Sequence, residues 1–412
     1  MGRSGPAPSG PGGPDGTVCN AHRMSAPSPS PRDGSGLTVA FDATALLWQP
    51  TGIGVFCART LVALAERTDV DVSAFAVSWR RRRNLPPMLP PGVSSRQRAM
   101  PARPLHWAWS RGTVPPVDWF IGGHDVVHGT NYVVPPTRRA ARVVSVYDLT
   151  VLLYPDLCQP VTLTFPTFIR RAVSEGAWVH TPSHFIAEQV VAELDVPPER
   201  VRAVHLGVPP SPAAPEGAAP IQGLTLPEGC SRYILAIGTI EPRKDYPLLL
   251  AAFSQLAGRH RDVALVIVGG DGWGVEPFLA SLEASPVRDR VVRPGYVDDD
   301  TLGTVLRGAA VLAFPSVYEG FGFPPLQAMA VGVPVVTTRV GSIPEVVGDG
   351  AVLVESGDRD GLTAALEGVL DGGPEVEALI ARGRRRSALF TWEACAEGLT
   401  DLYRQAAESR RT

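Results

Sequence analysis

A chain of 412 residues with a net charge of −3 and a pI near 6.3 is long enough for two domains, each with its own core. The near-neutral balance speaks against wholesale binding to nucleic acid or to a membrane surface. Five scattered cysteines without a Cys-x-x-Cys pair exclude a zinc ribbon and a disulfide framework and fit the reducing cytoplasm, and no stretch approaches the ~20 apolar residues that span a bilayer.

Residues 1 to 36 are dominated by Gly, Pro and Ser and bury too little to offset chain entropy, so this tail is expected to be disordered, with Met24 as an alternative start. Folded sequence begins at Leu37. Leu37 to Asp42 reads as a strand, Gln49 to Gly54 as a loop, and Val55 to Glu66 as a helix with apolar residues at helical spacing. The loop contributes Gly52, Ile53 and Gly54 as candidates for anion or acceptor contact, although a bare Gly-x-Gly is equally an ordinary turn. Val72 to Val77 reads as a second strand, and the Arg80-Arg81-Arg82-Arg83 run as a solvated face or a contact for an anionic acceptor or lipid headgroups. Asp125 to Asn131 and Ala141 to Asp148 read as strands with polar ends. Open α/β sheets place ligands at such ends, which makes His128, Asn131, Tyr147 and Asp148 site candidates. A histidine there is as often structural as functional.

Phe165 to Ala177 is helical in pattern, Val179 begins a strand, Ser183 caps the next helix, and Val201 to Val208 is a further strand. Pro209 to Gly229, rich in Pro, Ala and Gly, is the linker between residues 37–208 and 230–390. The alternation then restarts: strands at Tyr233 to Gly238, Val263 to Gly269 and Val291 to Gly295, with helices at Pro247 to Ala257, Val275 to Glu283 and Asp299 to Arg307. Gly361 to Leu370, Pro374 to Ser387 and Trp392 to Ala407 are helical in pattern. The fold class is α/β, two doubly wound Rossmann-like domains facing a cleft.

Phe314 to Pro344 is the most informative stretch. An apolar strand, Val311 to Phe314, stops at Pro315-Ser316, and Glu319-Gly320-Phe321-Gly322-Phe323 turns into a short helix from Leu326 to Val331 that Pro324-Pro325 opens. Free amides from Gly320 to Phe323 and the positive helix end suit a diphosphate. Glu319 and Gln327 bracket the turn and suit polyol hydroxyls. Upstream, Arg243 and Lys244 follow a strand ending in Gly238, and Lys244 is the single lysine of the chain. A planar guanidinium fork beside an ammonium point charge neutralises a diphosphate well.

Gly238-Thr239-x-Glu-Pro-Arg243-Lys244-Asp, Gly295-Tyr296-Val297, Tyr318-Glu319-Gly-Phe-Gly-Phe-Pro-Pro-Leu-Gln327-Ala and Gly341-Ser342-Ile-Pro-Glu345 occur in that order. Together they resemble glycosyltransferase family 4, the retaining GT-B enzymes that use nucleotide sugars, and especially its mannosyltransferase-like branch, from about Leu37 to Leu402. The resemblance implies that Arg243 and Lys244 bind the donor diphosphate beside Gly238 and Thr239. It places Glu319 on the donor sugar as the first glutamate of a Glu-x7-Glu motif. The amides of Gly320 to Gly322 lie at the diphosphate, with Phe323 beyond them, Tyr296 and Val297 lie at the base, and Gly52 and Gly54 near phosphate and acceptor. Residues 391–412 form a helix crossing back to the first domain.

Two positions depart from the pattern. Gln327 replaces the second glutamate, which lowers ribose affinity by on the order of 1 kcal/mol, the difference between a charge-assisted and a neutral hydrogen bond. Tyr147 replaces a histidine and can donate a hydrogen bond but not as a cation. The resemblance implies a hexosyltransferase, mannose favoured, acting by a front-face route. Its expected partners are a nucleotide-sugar donor, GDP slightly favoured, and a glycan, lipid-linked or small-molecule acceptor, with a peripheral membrane contact open. No cofactor is expected and, because no Asp-x-Asp metal motif stands at a strand end, no metal either. The rival is a non-catalytic GT-B partner or regulatory subunit. Donor release of nucleoside diphosphate separates the two.

Overall fold

The computed structural model describes residues 36–48, 51–96, 98–158, 162–209 and 224–411. The glycine- and proline-rich tail before Gly36 and most of the expected linker, 210–223, lie outside the described residues.

Seven strands form the first sheet: β1 (Leu37–Asp42), β2 (Val70–Phe75), β3 (Ser94–Arg96), β4 (Val126–Gly129), β5 (Ala141–Ser145), β6 (Trp178–Thr181) and β7 (Val201–Ala203). Six form the second: β8 (Arg232–Ile237), β9 (Val263–Val268), β10 (Val291–Gly295), β11 (Val311–Phe314), β12 (Val335–Thr338) and β13 (Val352–Val354). All pairings are parallel. The orders are β3-β2-β1-β4-β5-β6-β7 and β10-β9-β8-β11-β12-β13, so each sheet runs outward from its first strand and then reverses. Helices cover both faces, which is why β9 (VALVIV) is apolar and buried at all six positions instead of alternating. Crevices open at the carboxyl ends where the order reverses, between β1 and β4 and between β8 and β11.

The final helix, Trp392–Arg411, extends four residues past the expected Ala407 and packs on the first sheet's core. Leu399, Leu402, Tyr403 and Ala406 are buried there beside Phe41, Phe56 and Leu61 from β1 and the helix Gly52–Ala65. The chain crosses between the halves at two adjoining points. Val208 N donates to the Phe390 carbonyl (3.0 Å), and Trp392 Nε1 donates to the Val208 carbonyl (3.0 Å). Among the described residues no helix is long and apolar enough to cross a membrane.

Two of the boundaries that differ from the sequence reading have clear physical reasons. The helix expected from Val55 begins at Gly52, because Thr51 caps it by accepting the Gly54 amide (3.2 Å); the two glycines are its first turn, not a preceding loop. The strand expected to Val208 ends at Ala203, where its pairing with β6 stops. The short edge strand β3 and the helix Ala102–Trp109 are not legible in the sequence: β3 is polar and half-exposed, and the helix is short and carries a proline in its first turn.

Candidate active site between the two sheets

The loops after β8 and β11 meet at the second crevice. Pro242–Lys244 forms one 3-10 turn, and Asp245, held at φ +47°, starts the helix Tyr246–Leu256 by accepting the Leu248 amide. The two loops are stitched by Val317 N donating to the Arg243 carbonyl (2.9 Å) and by Arg243 Nη1 donating to the Tyr318 carbonyl (3.0 Å). One carboxylate oxygen then collects two cations: Glu319 Oε1 lies 2.6 Å from Lys244 Nζ and 2.8 Å from Arg243 Nη1. Arg243 Nη2 also reaches Glu241 Oε1 at 2.7 Å, and the Lys244 ammonium stands over the Phe314 ring.

Burial and charge oppose each other in this cluster. Burial raises the Glu319 carboxyl, but Arg243 and Lys244 more than offset it and hold it at about 2. Burial pulls the Lys244 ammonium below its ordinary range, with Glu319 opposing and Arg243 adding to the fall. The same burial works against Arg243, yet Glu319, Glu241 and Asp148 keep its affinity for the proton above the ordinary value. Arg243 and Lys244 are thus set against Glu319 and Glu241, with little water to screen the pairs.

That cluster opens on a cleft of about 870 Å³ lined from both halves. The second half supplies Gly238, Thr239, Tyr296, Val297, Gly320, Phe321, Gly322, Phe323 and Gln327. The first supplies Gly52, Ile53, Gly54, Tyr147 and Asp148. Two helix amino ends face each other across it. Gly322, at φ +105°, caps the helix Phe323–Val331, and a side chain placed at Gly52 would lie 3.7 Å from the Phe323 ring. The first amides of each helix have no partner within the helix, and the dipoles favour negative charge between them.

Three expected site residues are placed otherwise. His128 is a correction: it sits inside β4, fully buried, with Nδ1 2.7 Å from the Tyr403 hydroxyl and Nε2 2.8 Å from Ser145 Oγ. Burial, with His180 nearby, pulls its pKa well down, so it is a neutral core residue. Asn131 is exposed and outside the cleft lining. Tyr147 lines the cleft, but its hydroxyl donates to the Thr130 carbonyl (2.7 Å) and its ring packs edge-on to Phe56 and Tyr132. Its proton is therefore committed to the backbone, so the hydrogen bond that Tyr147 was expected to have available is spent on Thr130.

Gly320 has a second duty. A Cβ there would lie 1.8 Å from the Tyr147 carbonyl oxygen, so only glycine lets the halves touch, and Ser183 Oγ donates to the Gly320 carbonyl (3.1 Å). Glu345 ties the halves further along. Its carboxylate accepts the His184 and Phe185 amides (2.8 and 2.9 Å) at the start of the helix His184–Leu194 and pairs with His205 Nε2 at 2.7 Å. Ligand atoms of His184, His205 and Glu345 lie within 4.8 Å of one another. Glu345's hydrogen bonds already account for that grouping, which lies outside the cleft lining. Sequence reasoning missed Glu241, Arg59, Tyr132 and Asp299 as cleft residues. Glu241 stood in the quoted motif, whereas nothing local marked the others.

Two doubly wound sheets with their carboxyl ends on a shared cleft define the GT-B architecture. Residues 226–386 match the family described as Glycosyl transferases group 1. The chain is 30% identical over 396 residues to a D-inositol 3-phosphate glycosyltransferase of Acidothermus cellulolyticus, spanning 88% of this chain and 87% of that one. It is 29% identical over 286 residues to O-antigen chain mannosyltransferase B of Escherichia coli, spanning 68% and 74%. Its fold matches the crystal structure of Anabaena HepE in complex with UDP-glucose at a TM-score of 0.62 and 15% identity, covering 90% and 99% of the two chains. The protein belongs to the glycosyl transferases group 1 family.

Proposed function

We propose that the protein is a retaining, metal-independent glycosyltransferase that moves a hexose, mannose favoured, from a nucleoside-diphosphate sugar to a hydroxyl acceptor. The observation that carries this reading is the convergence of Arg243, Lys244 and Glu319 at the β8–β11 crevice. In the proposed reaction the diphosphate displaces part of the Glu319 contact and takes both cations, and the freed carboxylate accepts hydrogen bonds from sugar hydroxyls. The bond between the anomeric carbon and the phosphate oxygen breaks while the acceptor oxygen bonds to the same face. The acceptor proton passes to the departing phosphate oxygen. Negative charge grows on the leaving diphosphate, where two fixed cations and the amides beside Gly320–Gly322 stabilise it more than they stabilise the bound donor. Those cations supply the charge that a divalent ion would otherwise bring, so we propose that chelation leaves turnover unchanged.

UDP-glucose in the similarly folded HepE supports a nucleotide sugar in this cleft, and the mannosyltransferase relative supports the hexose. The test is a panel of GDP, UDP and ADP sugars with release of nucleoside diphosphate measured, with and without EDTA. Release from one of them, abolished in Lys244→Ala, is expected. Tight binding without release from any donor and acceptor pair overturns the enzyme reading and leaves a non-catalytic GT-B partner subunit.

A further inference from the structure

Tyr318 stands in the second half, between β11 and Glu319, yet its side chain belongs to the first. It is 3% exposed, and among the described residues it is the one buried residue that the second half gives to the core around Leu149, Ile169, Ile186 and Val190. Its ring packs at a tilt on Tyr154 and Phe185, with centroids 5.5 and 6.4 Å away. Phenylalanine would serve that packing as well. The hydroxyl, however, is used twice. It accepts the Leu149 amide (3.2 Å) just ahead of the helical turn Thr150–Leu153, and it donates to Gln189 Oε1 on the helix His184–Leu194. Burial raises this phenol above its ordinary range, so it keeps the proton that the second bond needs.

Through its backbone the same residue holds the charged cluster of its own half. The Tyr318 carbonyl accepts Arg243 Nη1 (3.0 Å), and Val317 N donates to the Arg243 carbonyl (2.9 Å). Glu319, next in the chain, carries the carboxylate oxygen that Arg243 and Lys244 share. On the other side of the hydroxyl, Leu149 directly follows Asp148, which lines the cleft from the first half. One tyrosine therefore joins the Asp148–Leu149 step of one half to the Arg243–Glu319 pair of the other.

We infer that Tyr318 is a positioning residue whose hydroxyl sets the first-half wall of the cleft, at Asp148, in register with the cations that hold the leaving diphosphate. The effect on turnover rests on the transferase reading, whereas the coupling of the two loops stands without it. A nucleoside diphosphate held by the loops of the second half does not need the hydroxyl, so its loss falls on turnover and not on affinity. Reacting groups displaced by about 1 Å can lose about 10²-fold in rate even when the change lies away from the reacting atoms. Removing the hydroxyl also leaves the buried Leu149 amide and Gln189 Oε1 without their shared partner, which favours a shift of one loop against the other.

The experiment compares the full chain with Tyr318→Phe, Gln189→Leu and the double variant. Turnover is read as nucleoside diphosphate release from the GDP, UDP or ADP sugar that the wild type uses, and affinity by calorimetry with GDP, UDP and ADP. Tyr318→Phe keeps the ring and should lower kcat by about 10- to 100-fold, with nucleoside diphosphate affinity within about twofold of the wild type. Gln189→Leu should lower kcat by less, because the bond to Leu149 stays, and the double variant should be no slower than Tyr318→Phe alone. Wild-type kcat in Tyr318→Phe, an affinity that falls as far as kcat, or losses that simply add in the double variant overturn the inference. Hydrogen exchange reads the coupling without turnover. Tyr318→Phe should speed exchange at Leu149 and, in the other half, at Val317, and a change confined to Leu149 overturns the inference as well. Failure of the transferase reading would appear separately, as a wild type that releases no nucleoside diphosphate from any donor while exchange still links the two loops.

Discussion

Lys244→Met removes one positive charge from the buried cluster and keeps the length of the side chain. With the Glu319 carboxyl at about 2 against an ordinary 4.5, its charged form is stabilised at neutral pH by about 3 kcal/mol net of burial. Because this pKa is depressed, that contribution is present above the ordinary carboxyl range and is lost as pH falls through about 2. Arg243 stays 2.8 Å away in the variant, and burial disfavours the lysine charge that is removed. Stability should therefore fall by only ~1–2 kcal/mol, less than the 3–5 typical when a buried charge loses its sole partner. Catalysis should suffer more. Losing one preorganised group on a developing anion lowers kcat by about 10²–10³, or ~3–4 kcal/mol. The assay pairs steady-state release of nucleoside diphosphate with a thermal melt of the same preparation. A folded Lys244→Met protein within threefold of wild-type kcat would refute the reasoning.

Three further outcomes follow from the geometry. Gln327→Glu should tighten nucleoside diphosphate binding about fivefold by restoring a charge-assisted bond, worth ~1 kcal/mol, and calorimetry would show an unchanged or weaker affinity if the ribose lies elsewhere. Gly320→Ala must push the Tyr147 carbonyl away, at a cost of ~1–3 kcal/mol, so the melting temperature and kcat should fall together. Glu345→Gln should loosen the tie to the helix His184–Leu194, raising hydrogen exchange in its first turn and lowering stability by ~1 kcal/mol. In the wild type, burial raises the Glu345 carboxyl, but His205 and the two amides outweigh it and leave it below its ordinary value. The tie is then complete above that ordinary range and weakens as pH falls through the lowered one, a trend that exchange measured across acidic pH should follow in the wild type and not in the variant.

Runs such as VALVIV and VLAF and the glycine and proline turns after them carried the class of fold and most strand positions in the sequence alone. Parallel strands buried on both faces leave a local mark, and so do caps such as Ser183, which accepts the Ile186 amide as expected. The resemblance carried by their motifs linked Arg243, Lys244 and Glu319 in the sequence, and the adjacency of β8 and β11, which delivers their loops to one crevice, came from the structure. Tertiary structure alone decided that Lys244 and Arg243 share one oxygen of Glu319, that His128 is a core residue facing Tyr403, and that Tyr147 is held by Thr130. It also decided that Gly320 is needed for the contact with Tyr147 as much as for any ligand. Those partners lie up to 275 residues apart. Periodicity reports only which face of its own element a residue occupies, and what lies opposite that face depends on how the two halves close.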